Sequence, residues 1–125
     1  MSAPKYSYAT YLDIKYRPLE VVDVPALVTA CADPWYNQTL CRVNDAVVRL
    51  GVIQGEYHWH KHEADDEFFC VIEGRLLVDI EGRTITLSER QGTVVSKGVR
   101  HRTRAPERAV ILMVENAGIV PTGDD

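Results

Sequence analysis

The chain has 125 residues, a formal net charge of −4, 46% apolar residues and 26% charged residues. That length builds one domain around one core, and the composition is not that of a disordered chain. The acidic balance argues against nucleic-acid binding, because the single basic cluster, Arg100, Arg102, Arg104 and Arg108, is interrupted by Pro106 and Glu107.

Residues 1–19 scatter Tyr6, Tyr8, Tyr11 and Tyr16 among polar residues without a period, which predicts an arm strapped along another surface. Asp23, Val24 and Pro25 followed by ALVTACA predict a short capped helix, ended by Asp33 and Pro34. Its low charge predicts that much of its surface is buried. From Leu40 the chain reads as strands: 46–53, 57–62, 67–72, 75–80, 83–88, 92–96, 101–105 and 108–115. Gly55, Gly74, Gly82, Gly92 and Gly98 punctuate them. Short, closely spaced strands with almost no helix predict an all-β barrel or sandwich. The expected division is an arm and helix over 1–39 and one β-domain over 40–125.

EFFCVI and RAVILMVE carry apolar side chains in both registers, which predicts a homodimer through an outer sheet face, with the arm across the partner. Cys31, Cys41 and Cys70 match no zinc-finger or CxxC spacing, and no secretory leader or membrane-length apolar run is evident. A cytoplasmic protein without membrane or nucleic-acid partners is the expectation.

The stretch GEYHWHKHEADDEFFCVIEG concentrates chemistry. On a strand, His60 and His62 share a face, and Glu67 opens the next strand after the polar turn HEADD. If that strand returns beside the first, Glu67 faces the two histidines. His101, alone in SKGVRHRT, is the fourth candidate ligand. Imidazoles with one carboxylate suit a divalent Fe, Mn, Ni, Co or Zn ion. Strict alternation also turns His58 inward, as a proton-transfer group of the pocket or one that orients a ligand, as an alternative ligand, or as a histidine simply held by a backbone carbonyl. Trp59, Phe69, Val71, Val78 and Ile80 are candidate pocket walls, and Tyr57 joins them only if the alternation breaks. Asp65 and Asp66 are expected in solvent. Arg100 and Arg102 are placed to steer an anionic substrate toward His101.

HWHKHEADDEFFCVIEG, with its His-x-His pair, Glu67 and Gly74, resembles the first conserved motif of the cupins. GTVVSKGVRHRT, with Gly92, Gly98 and His101, resembles their second. The likeness runs from about Ala46 to Glu115 and is closest to the small mannose-6-phosphate isomerase-like cupins. Ser96 stands where the second motif usually has proline, and Ala105 where asparagine is frequent, but neither position supplies a ligand. The resemblance implies a double-stranded β-helix, or jelly-roll, barrel. It also implies that His60, His62, Glu67 and His101 hold one metal ion in the barrel mouth.

Such a site leaves coordination positions for a bidentate oxygen ligand. Fe(II) would suit a dioxygenase, whereas Zn, Mn or Ni would suit a sugar or hydroxy-ketone isomerase, epimerase or lyase. The non-catalytic alternative is a small-molecule binding module.

Overall fold

The structure, a computed structural model, describes residues 8–124. It contains β1 (Ala9–Tyr11), α1 (Val24–Ala30), β2 (Trp35–Val43), β3 (Ala46–Glu56) and β4 (Glu67–Glu73). These are followed by β5 (Leu76–Ile80), β6 (Arg83–Leu87), β7 (Gly92–Val95) and β8 (His101–Asn116). β8 is the hub: it pairs antiparallel with β3, β4 and β5. β2 lies outside β3, β7 outside β4, and β6 outside β5. β1 adds to the edge as a parallel strand on β2. The architecture is the predicted jelly-roll barrel.

Alternation makes its interior. Inward rows run across the sheet as Asn37–Gly51–Ile111–Val71, as Thr39–Arg49–Met113–Phe69, and as Val47–Glu115–Glu67–Val95. Trp35, Ile53, Tyr57, Phe69, Val71, Leu76, Val78, Ile111 and Met113 form the main core. Full burial of each large aliphatic side chain contributes about 1.5–3 kcal/mol. Opposite-parity residues face outward. Leu40, Leu50, Val52 and Val110 pack there under Tyr16, Val24, Leu27 and Val28. Thus the arm and helix cover part of the outer face of their own barrel.

Asp23 caps α1, its Oδ1 accepting from the Ala26 N–H at 3.1 Å. Contrary to the burial expected from its low charge, α1 has no fully buried residue. It has one apolar stripe on the barrel, and the opposite side is open. Four other expectations differ. β2 begins at Trp35, inside the segment assigned to the arm. The arm from Tyr8 to Tyr16 lies along its own chain: Ala9–Tyr11 pairs with β2, and the Tyr8 ring stacks on Tyr57 at 4.2 Å. Tyr6 lies outside the described residues.

The stretches 101–105 and 108–115 form one strand, because Ile53 pairs with Ala109 and Gly55 with Ala105, so a bulge absorbs Pro106. Finally, residues 57–62 are not a regular strand. The Tyr57 N–H reaches the Thr103 carbonyl at 2.9 Å, whereas His60 bridges His101. Three steps on one side thus meet two on the other, and this irregularity breaks the alternation.

Candidate metal centre

The break in alternation determines which side chains enter the barrel. Tyr57 turns into the core, His60 and His62 point inward beyond the break, and Trp59 turns out under the Arg102 guanidinium, 5.3 Å from its ring centre. His60 and His101 exchange backbone hydrogen bonds of 2.9 and 2.8 Å, which brings the two motifs side by side. The following turns lock together through the Gly98 N–H on the His62 carbonyl at 2.7 Å and the Lys97 N–H on Asp66 Oδ1 at 2.9 Å. Asp66 therefore has a structural bond rather than only solvent. Glu67 arrives from β4, where parity with Phe69 and Val71 turns it inward.

His60, His62, Glu67 and His101 are 9%, 3%, 5% and 1% exposed. One donor atom from each lies within 4.8 Å of the others. Glu67 Oε1 is 3.3 Å from His101 Nε2 and 3.7 Å from His62 Nε2. Two opposed ligands on one ion stand about 4.2 Å apart at bond lengths near 2.1 Å, so ligation would draw the group slightly inward. His60 Nδ1 lies 3.0 Å from the His58 carbonyl and His101 Nδ1 2.9 Å from the Val99 carbonyl. Donation from each Nδ1–H leaves Nε2 with its lone pair toward the centre. Neither nitrogen of buried His62 has a hydrogen-bond partner among the described residues. A bare buried imidazole is costly, and a metal ion would remove that cost. The four residues fit such an ion.

Electrostatics agree. Burial, reinforced by the neighbouring imidazoles, lowers His60 to about 3 against the weaker opposing pull of its carbonyl contact. Burial also lowers His62 and His101, so all three rings favour the neutral ligand form. Glu67 is raised by burial, as is Glu115, its neighbour across the β4–β8 ladder. Burial of the two neighbouring carboxyls favours one shared proton over two charges, and ligation by Glu67 would release it. Arg49 Nε, equally buried, lies 2.7 Å from Glu115 Oε1.

Beside this centre is a cavity of about 30 Å³. Ile53, Phe69, Ile111 and Met113 make its apolar wall, and Trp35, Asn37, Thr103 and Glu115 its polar one. Pro121 roofs it, and the tail is held by the Tyr57 hydroxyl donating to the Pro121 carbonyl at 3.3 Å. Of the expected walls Phe69 lines the cavity, and Tyr57 joins it because the alternation breaks; Val71 and Val78 lie in the core, Ile80 packs against that core, and Trp59 is outside. His58 points to the tail: its Nε2 is 2.7 Å from the Thr122 carbonyl and its Nδ1 3.3 Å from the Tyr8 hydroxyl.

Trp35 and Asn37 escaped sequence reading because polar and apolar residues mix on both faces of WYNQTLCRV. Glu115 did carry a signal, as the charged member of the otherwise apolar face Ile111–Met113–Glu115.

Residues 47–115 match the family described as Cupin domain. An uncharacterized protein, YdbB of Bacillus subtilis (strain 168), is 44% identical over 81 residues, covering 64% of this chain and 72% of that protein. The crystal structure of a cupin-2 domain containing protein from Shewanella frigidimarina NCIMB 400 superposes with a TM-score of 0.73 at 30% identity, covering 77% of this chain and 94% of the other. Protein NMB1881 from Neisseria meningitidis gives a TM-score of 0.69 at 26% identity, covering 78% and 99%. The match to more than half of the sequence, joined to the barrel and its buried cluster, establishes that the chain belongs to the cupin domain family.

Proposed function

We propose that the protein is a metal-dependent enzyme of the non-heme Fe(II) dioxygenase type, acting on a small oxygen-chelating organic substrate. The observation that carries the metal reading is the buried convergence of His60, His62, Glu67 and His101, with neither His62 nitrogen hydrogen-bonded among the described residues. Fe(II) held by such a nitrogen and oxygen ligand set would leave room for substrate and dioxygen and would supply the redox chemistry. The chain's share is orientation and shelter: carbonyls of His58 and Val99 fix two rings, and Ile53, Phe69, Ile111 and Met113 give the cavity an apolar wall.

A specific observation supports a second reading, an isomerase, epimerase or lyase loaded with Zn, Mn or Ni. Glu115 is a buried carboxyl on the cavity wall beside Glu67, positioned to hold or move a proton. The mannose-6-phosphate likeness receives no support from the cavity, whose described lining residues include no lysine or arginine for a phosphate.

The test is oxygen uptake by Fe(II)-loaded protein with diketones, catechols and hydroxy ketones. Substrate-dependent uptake supports the first reading. No uptake, with solvent deuterium entering the substrate on Zn-loaded protein, supports the second. Binding without either reaction leaves a non-catalytic binding module. Within this reading His58 serves as a pocket acid/base once the Thr122 carbonyl releases its ring. A large fall in turnover at unchanged metal content in His58→Gln supports that role.

A further inference from the structure

Two buried polar groups on β2 have no task in holding the metal. Trp35 and Asn37, 8% and 9% exposed, occupy successive inward positions, roughly 7 Å apart along the strand. Both line the cavity beside His60 and Glu67. Trp35 Nε1 and Asn37 Oδ1 have no hydrogen-bond partner among the described residues. Leaving such groups bare costs about 1–3 kcal/mol each, so their position on a ligand cavity is informative. Of the other polar groups nearby, Glu115 Oε1 lies against Arg49, its Oε2 has no hydrogen-bond partner among the described residues, and the metal candidates face one another.

We propose that Trp35 and Asn37 form a hydroxyl-recognition subsite beside the metal centre, for short unphosphorylated α-hydroxy carbonyl compounds. This rests on the metal reading above. The indole N–H only donates, and the amide oxygen only accepts. An alcohol oxygen answers both, accepting from Trp35 and donating to Asn37. A diketone provides acceptors alone and leaves the amide oxygen bare. The cavity's small volume, about 30 Å³, and its wall of Phe69, Ile111 and Met113 favour a short chain over an aromatic ring. With no lysine or arginine on that wall among the described residues, a phosphate would be desolvated without a partner there. Turning the amide of Asn37 around would present a donor that a carbonyl oxygen also accepts, so the preference for an alcohol over a diketone rests on Oδ1 being the unpartnered atom.

The chain's two tryptophans give a direct readout, because Trp59 lies outside the cavity. Full-length, nitrogen-15-labelled protein is loaded with zinc, and its two indole N–H signals are assigned with Trp59→Phe. Hydroxyacetone and dihydroxyacetone phosphate are then titrated separately. The expected result is that hydroxyacetone moves the Trp35 signal and leaves that of Trp59. Asn37→Ala should weaken hydroxyacetone binding roughly five- to tenfold at unchanged zinc content, as for loss of one hydrogen bond. Asn37→Ser, which retains a hydroxyl and guards against a folding defect, should recover part of the loss. The proposal is overturned if saturating hydroxyacetone leaves the Trp35 signal in place on zinc-loaded protein. Wild-type affinity in Asn37→Ala, or equal affinity for the phosphorylated probe, also overturns it. Failure to take up zinc overturns the metal reading first, and this subsite with it.

Discussion

Gly123 rests on His60 so closely that a Cβ added to it would lie 2.6 Å from the His60 Cβ. Its φ of +93° is also one that residues with side chains rarely adopt. The tail is tied there by the Asp124 N–H on the Lys61 carbonyl at 2.9 Å and by Asp124 Oδ2, which accepts from the Glu63 N–H at 2.7 Å. Gly123→Ala should therefore lift the tail from the metal centre and cost roughly 1–2 kcal/mol, read as a lower thermal midpoint. Faster proteolysis of the last residues would accompany it. Unchanged midpoint and cleavage would show that the tail does not depend on this contact.

His101→Ala removes the residue that joins the second motif to the first. Loss of a group that merely orients a ligand weakens metal binding about 10–100-fold, so loss of this candidate ligand should exceed about 100-fold. Competition with a chromophoric chelator measures it, with circular dichroism confirming the fold. Retention of full affinity would remove His101 from the ligand set.

Arg49→Met leaves Glu115 and Glu67 without their buried cation. The expected loss is about 3 kcal/mol in denaturant unfolding, at the lower end for a broken buried pair because the carboxyls share a proton. Combining it with Glu115→Leu should restore at least half of the loss, since an apolar pair replaces a charged one. A double variant no better than the single would show that Arg49 acts through packing.

Asp79 sets a pH dependence that can be separated from the histidines. Arg104 chiefly, with Thr84 and Arg102, holds its carboxyl far below the usual range. Because the folded-state pKa is depressed, the stabilisation is present above the unfolded value near 3.8 and is lost as pH falls below it. Wild type should thus lose more stability than Asp79→Asn between about pH 5 and pH 2. The difference should be about 1 kcal/mol, given solvent around the arginines. Parallel curves for the two proteins would contradict it.

An outward apolar row runs from Val94 through Phe68, Val114 and Val48 to Cys41. Its Val48 and Cys41 end packs with the patch around Leu50 and Val110 that arm and helix cover, whereas Val94 and Val114 are exposed. A second copy of the chain on the open part is the proposed partner. Sedimentation equilibrium at tens of micromolar should show a dimer, and Phe68→Glu should shift it to monomer. A monomeric wild type defeats the proposal.

The sequence by itself determined the barrel and the four-residue cluster. Strand periodicity, the glycine turns and the resemblance of the two motif strings all pointed to one architecture. Parity on β4 turned Glu67 inward beside Phe69 and Val71, as read. Parity worked there because that strand is regular. It failed at 57–62, where the irregular pairing of Tyr57 with Thr103 and His60 with His101 turns Tyr57 into the core while Trp59 stays outward. A bulge depends on the partner strand, so local alternation cannot register it. The same holds for Arg49 and Glu115, Trp35 and Asn37, and the tail over His60: they meet only when β2, β3 and β8 pair and the C-terminus folds back. Tertiary structure alone decided the polar wall of the cavity, because its residues come from strands distant in sequence.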